Sequence, residues 1–138
     1  MKLFEIGILG MAATVALVGS TGCKSSSREP DPPGNDEIPI ARSYITNFFA
    51  GDAKALEGVE DVFMKHGMTK EMVDQTLQNL KSNHGALKDQ GASRTAVVTL
   101  HDVVYIPCNF ERGTLDAKVI FNSYNKVSGF FFVAPGSN

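Results

Sequence analysis

The spacing of the apolar residues changes halfway along the chain, and this change constrains the fold more than any other feature. Between residues 41 and 84, apolar side chains recur every three or four positions, as on one face of an α-helix. Between residues 103 and 134 they alternate or form short continuous runs, which is typical of β-strands. A helical half followed by a strand-forming half predicts an α+β fold with an antiparallel sheet.

Three N-terminal helices are predicted, because each apolar stretch has its own start and stop signals. Asp36 and Glu37 favour a helix start, Gly51 is a natural stop, and Asp52 and Thr69 are suited to cap the next two helices. The apolar faces consist of Ala41, Tyr44, Ile45, Phe48 and Phe49 in the first helix, of Leu56, Val59, Val62 and Phe63 in the second, and of Val73, Leu77 and Leu80 in the third.

Four strands are predicted in the second half, over residues 86–98, 103–110, 115–121 and 126–134. Pro107 lacks a backbone donor, so we expect a bulge or a sheet edge there. The helices can cover only one face of this sheet, with Ile106, Phe121 and Phe132 expected in the core. The second and fourth strands, however, are apolar on both faces. We therefore expect the outer face to contact a second copy of the chain or another protein.

The N-terminus has the pattern of an export signal. An apolar run over residues 6–18 is too short to span a bilayer, and small residues then lead directly to Cys23. Residues 1–22 resemble a bacterial lipoprotein signal peptide, which implies cleavage before Cys23, acylation of Cys23, and a lipid anchor in the cell envelope. The alternative is an ordinary secretory signal. Residues 23–37 are polar and rich in Pro and Ser, so they are predicted to form a disordered tether ahead of a domain at 38–138.

Five segments of this domain resemble a bacterial family of unknown function; they are residues 48–52, 85–88, 104–113, 115–121 and 126–132. The resemblance implies a cystatin-like, nuclear-transport-factor-like domain, in which a curved four-stranded sheet wraps around the helices as a cone. Members occur behind lipoprotein signals or ahead of α/β-hydrolase domains, and they are frequently dimeric through the sheet. This chain has no G-x-S-x-G motif, so no hydrolase activity is expected from it.

The sequence offers little chemistry. The 13 basic and 15 acidic residues give no basic excess, which argues against nucleic-acid binding. The three histidines show no metal-ligand spacing, and no cofactor or catalytic residue is assigned. The resemblance implies a pocket inside the cone, with Tyr44, Tyr105 and Asp116 as its possible polar groups. The alternative for Asp116 is the solvent face of a strand. Cys108 is interpreted as a buried thiol rather than a nucleophile.

The favoured function is therefore a membrane-anchored envelope lipoprotein with a small non-enzymatic binding or dimerisation domain. Two alternatives remain open at this point. One is a pocket enzyme of the isomerase or dehydratase type, in which Asp116 or Tyr105 transfers a proton. The other is an accessory or inhibitory partner of another envelope protein, acting through the apolar outer face of the sheet.

Overall fold

A computed structural model describes residues 36–137, which fold as an α+β domain with four helices and an open, antiparallel sheet of five strands. The α+β class is thus confirmed. The predicted signal peptide, Cys23 and the tether up to residue 35 lie outside the described residues. The helices are α1 (Glu37–Phe49), α2 (Ala53–Glu57), α3 (Val62–Gly67) and α4 (Lys70–His84). The strands are β1 (Leu87–Gln90), β2 (Arg94–Val98), β3 (His101–Phe110), β4 (Gly113–Phe121) and β5 (Val127–Val133).

The predicted helix caps form. The side chain of Asp52 accepts a hydrogen bond from the backbone N–H of Ala55 (3.0 Å), and that of Thr69 accepts from Met72 (3.2 Å). Gly85 ends α4 with a φ of 84°, in the region that favours glycine. A Cβ atom at Gly85 would lie 2.8 Å from the Cβ of Glu111, so the close approach of these two segments also requires glycine.

The predicted second helix is instead two short helices, α2 and α3. Between them the backbone pairs with the edge of β5, where the N–H of Asp61 donates to the carbonyl of Val127 (2.9 Å). These hydrogen bonds to the sheet replace a turn of helix, and they break the apolar face that was predicted across the interruption. Leu56 is buried as predicted, whereas the side chains of Val62 and Phe63 are 64% and 86% exposed.

The predicted first strand is likewise two strands, because β1 and β2 pair with different halves of β3. β1 and β2 lie end to end along one edge of β3, and β4 and β5 follow on its other side. Pro107 lies in the central strand β3, where its carbonyl accepts from the N–H of Gly91 (2.7 Å). The backbone of Pro107 therefore faces the gap between β1 and β2. At this gap the sheet does not use an N–H from β3, so the donor that proline lacks costs no hydrogen bond between strands.

The helices cover one face of the sheet, which we call the inner face. The core lies between the helices and this face. Val73, Ile106 and Phe121 are buried there as predicted, and Leu77 and Phe132 pack half-buried against them. The other side chains of the buried core are Ala41, Tyr44, Ile45, Phe48, Leu56, Leu80, Val104, Cys108, Phe110, Ala117, Val119, Val127 and Phe130.

Candidate functional site

Tyr105 and Asp116 lie together on the outer face of the sheet, away from the helices. Tyr105 pairs with Lys118 across β3 and β4, and Asp116 is two positions from Lys118 on the same face. Arg94 of β2 stands opposite Tyr105 and stacks its guanidinium over the ring, 4.1 Å from the centroid. The two predicted residues therefore share a cluster with an arginine that sequence reasoning did not identify.

The carboxylate of Asp116 is held by an ion pair in this cluster. Its Oδ2 accepts hydrogen bonds from Arg94 Nη2 and from the backbone N–H of Gly136, both at 2.9 Å. Arg94 Nη2 also donates to the carbonyl of Ser137 (2.6 Å). Asp116 is buried rather than solvent-facing, and its charge is compensated by Arg94. This arrangement fastens the C-terminal residues to the sheet.

Tyr44 lies in the core, on the opposite face of the sheet from Tyr105 and Asp116. Its hydroxyl donates to Glu60 Oε1 (2.6 Å), and both side chains are buried. Burial raises the pKa of Glu60, although the hydrogen bond from Tyr44 acts to lower it. Burial and the neighbouring carboxyl raise the pKa of Tyr44. The structure thus does not bring the three predicted pocket residues together.

Glu60 was missed because its sequence context resembles a surface helix, with Glu57 three positions before it and Asp61 directly after it. Two residues in the sequence mark the break between α2 and α3: the helix-weakening Gly58, and Asp61, whose side chain caps α3 by accepting from the backbone N–H of Met64 (2.9 Å). Cys108 is buried, as its position in a central strand predicted. Burial raises the pKa of its thiol to about 12, so the thiolate needed for nucleophilic attack is scarce at neutral pH.

A groove of about 580 Å³ crosses the outer face at the end of the sheet that carries the β2–β3 and β4–β5 turns. Val103 of β3 and Ile120 of β4 line the groove, and Lys118 is the cation among the lining residues. The lining residues are Asp61, Phe63, Val98, Thr99, His101, Val103, Lys118, Ile120, Asn122 and Ser128. None of the residues predicted for the pocket is among them: Tyr105 and Asp116 share the outer face but do not line the groove, and Tyr44 lies on the opposite face.

Within the part of the chain that the structure describes, no three His, Cys, Asp or Glu side chains are grouped in a way that could hold a metal ion. In residues 36–137 no helix has the length and apolar character needed to cross a membrane. The outer face presents a groove beside an ion pair in which Asp116 is buried and Arg94 is half-buried.

Comparisons with known proteins place the chain in a family without assigning an activity. No curated protein and no solved structure is significantly similar to it. The model of one protein family, described as a protein of unknown function (DUF3887), matches residues 41–130, which is more than half of the chain. The match runs from α1 into β5 and so includes both the Tyr44–Glu60 pair and the outer cluster. The chain belongs to the DUF3887 family.

Proposed function

We propose that this chain is a lipid-anchored lipoprotein of the bacterial cell envelope, and that its domain is a non-enzymatic binding module with a cystatin-like cone. The anchor is supported by the apolar run that ends in small residues directly before Cys23. Two or more acyl chains hold a protein stably on a membrane, whereas one chain gives marginal binding.

The observation that carries the binding function is the groove on the outer face. Val103 and Ile120 give it apolar walls, while Lys118 and His101 offer charge and hydrogen bonds. Such a lining suits a ligand that is mostly apolar and carries a polar or anionic group. Proton-transfer chemistry has less support, because Asp116 is engaged by Arg94 and Tyr105 is buried with the Arg94 guanidinium stacked on its ring.

The anchor is tested by acyl labelling, since the chain has only two cysteines. Cys23→Ser should abolish incorporation of labelled palmitate and release the chain from the membrane fraction or leave it unprocessed. Cys108→Ala is the matched control and should keep both the label and the membrane location. A labelled Cys23→Ser chain, or a processed chain that starts elsewhere, contradicts the anchor.

The groove is tested by filling it. Ser128 lines the groove, and Ser128→Phe should reduce the recovery of small molecules that copurify with the chain, measured by mass spectrometry of an organic extract. Ser82→Phe is the control, because Ser82 is exposed on α4 and its carbonyl contacts Arg112 at the other end of the sheet. Equal recovery from both variants contradicts binding in the groove.

A second copy of the chain, or another envelope protein that this domain assists or inhibits, is the partner that we propose for the rest of the outer face. The observation in favour is Phe131, which is 54% exposed on β5. A self-complementary patch is the commonest route to a homodimer. Sedimentation of the chain should show association that Phe131→Glu abolishes. A monomer whose solubility and stability are unchanged by Phe131→Glu contradicts this interface.

A further inference from the structure

The large apolar side chains that are exposed in residues 36–137 are concentrated at one end of the sheet. Six of the eight lie on the β2–β3 hairpin, on the β4–β5 turn, or at the start of α3. We call this group the apolar tip; it consists of Val62, Phe63, Val97, Val98, Leu100 and Tyr124.

Strand register explains why these residues share one end. Val97 pairs with Asp102 at the start of β3, Asp102 with Phe121 at the end of β4, and Phe121 with Val127 at the start of β5. The two turns that follow this row therefore project from the same end. Phe63 reaches it from α3, since it lines the groove together with Val98.

The β2–β3 turn holds Leu100 outward in an unfavourable backbone conformation. Val98 pairs with His101, so the turn has only two residues, Thr99 and Leu100, with φ angles of 50° and 65°. Turns of this kind favour Asn and Gly, and a β-branched residue with positive φ is an outlier. Leu100 is nevertheless 95% exposed. An apolar side chain kept in solvent at a cost in stability indicates a contact surface.

The start of α1 lies towards the same end of the sheet. Phe49, at the end of α1, packs on Phe110 beside the β3–β4 turn, which lies at the far end of the sheet. Tyr44, earlier in α1, contacts Phe130 and Glu60. The contacts of α1 thus move towards the apolar tip as the helix is followed back to its start at residue 37.

The length of the tether keeps the tip close to any lipid anchor. Asp36 follows Cys23 by 13 positions. A chain of this length reaches about 45 Å when fully extended, and a flexible one averages roughly 20 Å end to end. If Cys23 is acylated, as proposed above, the start of α1, which lies towards the apolar tip, is held within that distance of the bilayer surface.

We propose that the apolar tip inserts into the interfacial layer of the membrane that holds Cys23. Leu and Phe side chains partition into the boundary between headgroups and acyl chains, and Tyr is enriched there. Lys65 and Lys126 are exposed beside the tip and can reach lipid phosphates. This inference rests on the proposed lipid anchor. Insertion of the apolar tip orients the domain with the groove towards the lipid.

A single tryptophan tests the insertion, because the chain contains none. The lipidated full chain carrying Leu100→Trp is reconstituted into vesicles of phosphatidylethanolamine and phosphatidylglycerol, with and without brominated lipid. The indole should shift its emission to the blue and be quenched several-fold by bromine. Phe63→Trp should behave in the same way. Ser82→Trp, at the far end of the sheet, is the matched control and should be neither shifted nor quenched.

The outcomes separate the tip from the anchor. If Cys23 carries acyl groups and the chain floats with vesicles, but Leu100→Trp is quenched no more than Ser82→Trp, the anchor stands and the insertion is wrong. If Cys23 is unmodified, the anchor is wrong, and quenching of Leu100→Trp on added vesicles still decides the insertion. A blue shift that depends on protein concentration and not on brominated lipid identifies a protein partner, and it also overturns the insertion.

Discussion

The hydrogen bond between Tyr44 and Glu60 allows a quantitative test of what holds the interrupted helices to the sheet. The hydroxyl of Tyr44 donates to Glu60 Oε1 at 2.6 Å, and Oε2 has no partner among the described residues. Tyr44→Phe leaves the whole buried carboxyl unsatisfied. Leaving a buried polar group without its partner costs about 1–3 kcal/mol, so the free energy of unfolding should fall by that amount.

The reverse change is Glu60→Met, which leaves the Tyr44 hydroxyl buried without an acceptor. It should also cost about 1–3 kcal/mol. The double variant replaces both polar groups by apolar ones of similar shape, which is close to neutral in comparable sites. The single losses sum to about 2–6 kcal/mol, so the loss in the double variant should be smaller than that sum by about 2 kcal/mol or more, which is strong coupling between contacting residues.

Urea unfolding followed by far-UV circular dichroism measures these free energies. The packing of the ring of residue 44 on Phe130, with centroids 5.0 Å apart, is retained in Tyr44→Phe, so the hydrogen bond is the main change. Tyr124→Phe is the matched control, because Tyr124 is exposed, and its effect should stay below about 0.5 kcal/mol. Strictly additive losses, or a Tyr44→Phe chain as stable as the control, would refute the reasoning.

Three further outcomes are expected. Burial raises the pKa of Glu60 above its ordinary value of 4.5, so the folded state favours the protonated form. The free energy of unfolding should therefore decrease as pH rises from 4.5 through the raised pKa, and Glu60→Gln should remove this part of the pH dependence in urea titrations. Thr99→Asn combined with Leu100→Gly should raise the free energy of unfolding by about 1–2 kcal/mol, because both residues suit positive φ angles; a lower melting temperature would show that the turn is not strained. The thiol of Cys108, with its pKa raised to about 12 by burial, should resist a thiol reagent at mildly alkaline pH until urea unfolds the chain; rapid reaction of the native chain would contradict its burial.

The sequence alone determined the features that depend on neighbouring residues. The α+β class follows from the change in apolar spacing. Asp52 and Thr69 marked helix starts correctly, because capping is a contact between residues only three positions apart. The lipid anchor stays a prediction from the local pattern before Cys23.

Tertiary structure decided the features that depend on residues far apart in the chain. The break between α2 and α3 comes from backbone pairing with Val127, which lies more than sixty positions beyond it. Tyr44 appeared to be a partner for Tyr105 and Asp116, but it lies on the opposite face and bonds to Glu60.

The outer face gives the clearest contrast. Alternation along β4 placed Asp116 on a strand face, but only the register of β2 brings Arg94 to it and forms the ion pair. Strand pairing also gathers Val97, Leu100 and Tyr124 at one end of the sheet. The local pattern determines whether a segment forms a helix or a strand, because this preference comes from interactions between residues that are close in the chain. The partners of a side chain depend on register and on loop closure, which no local pattern records.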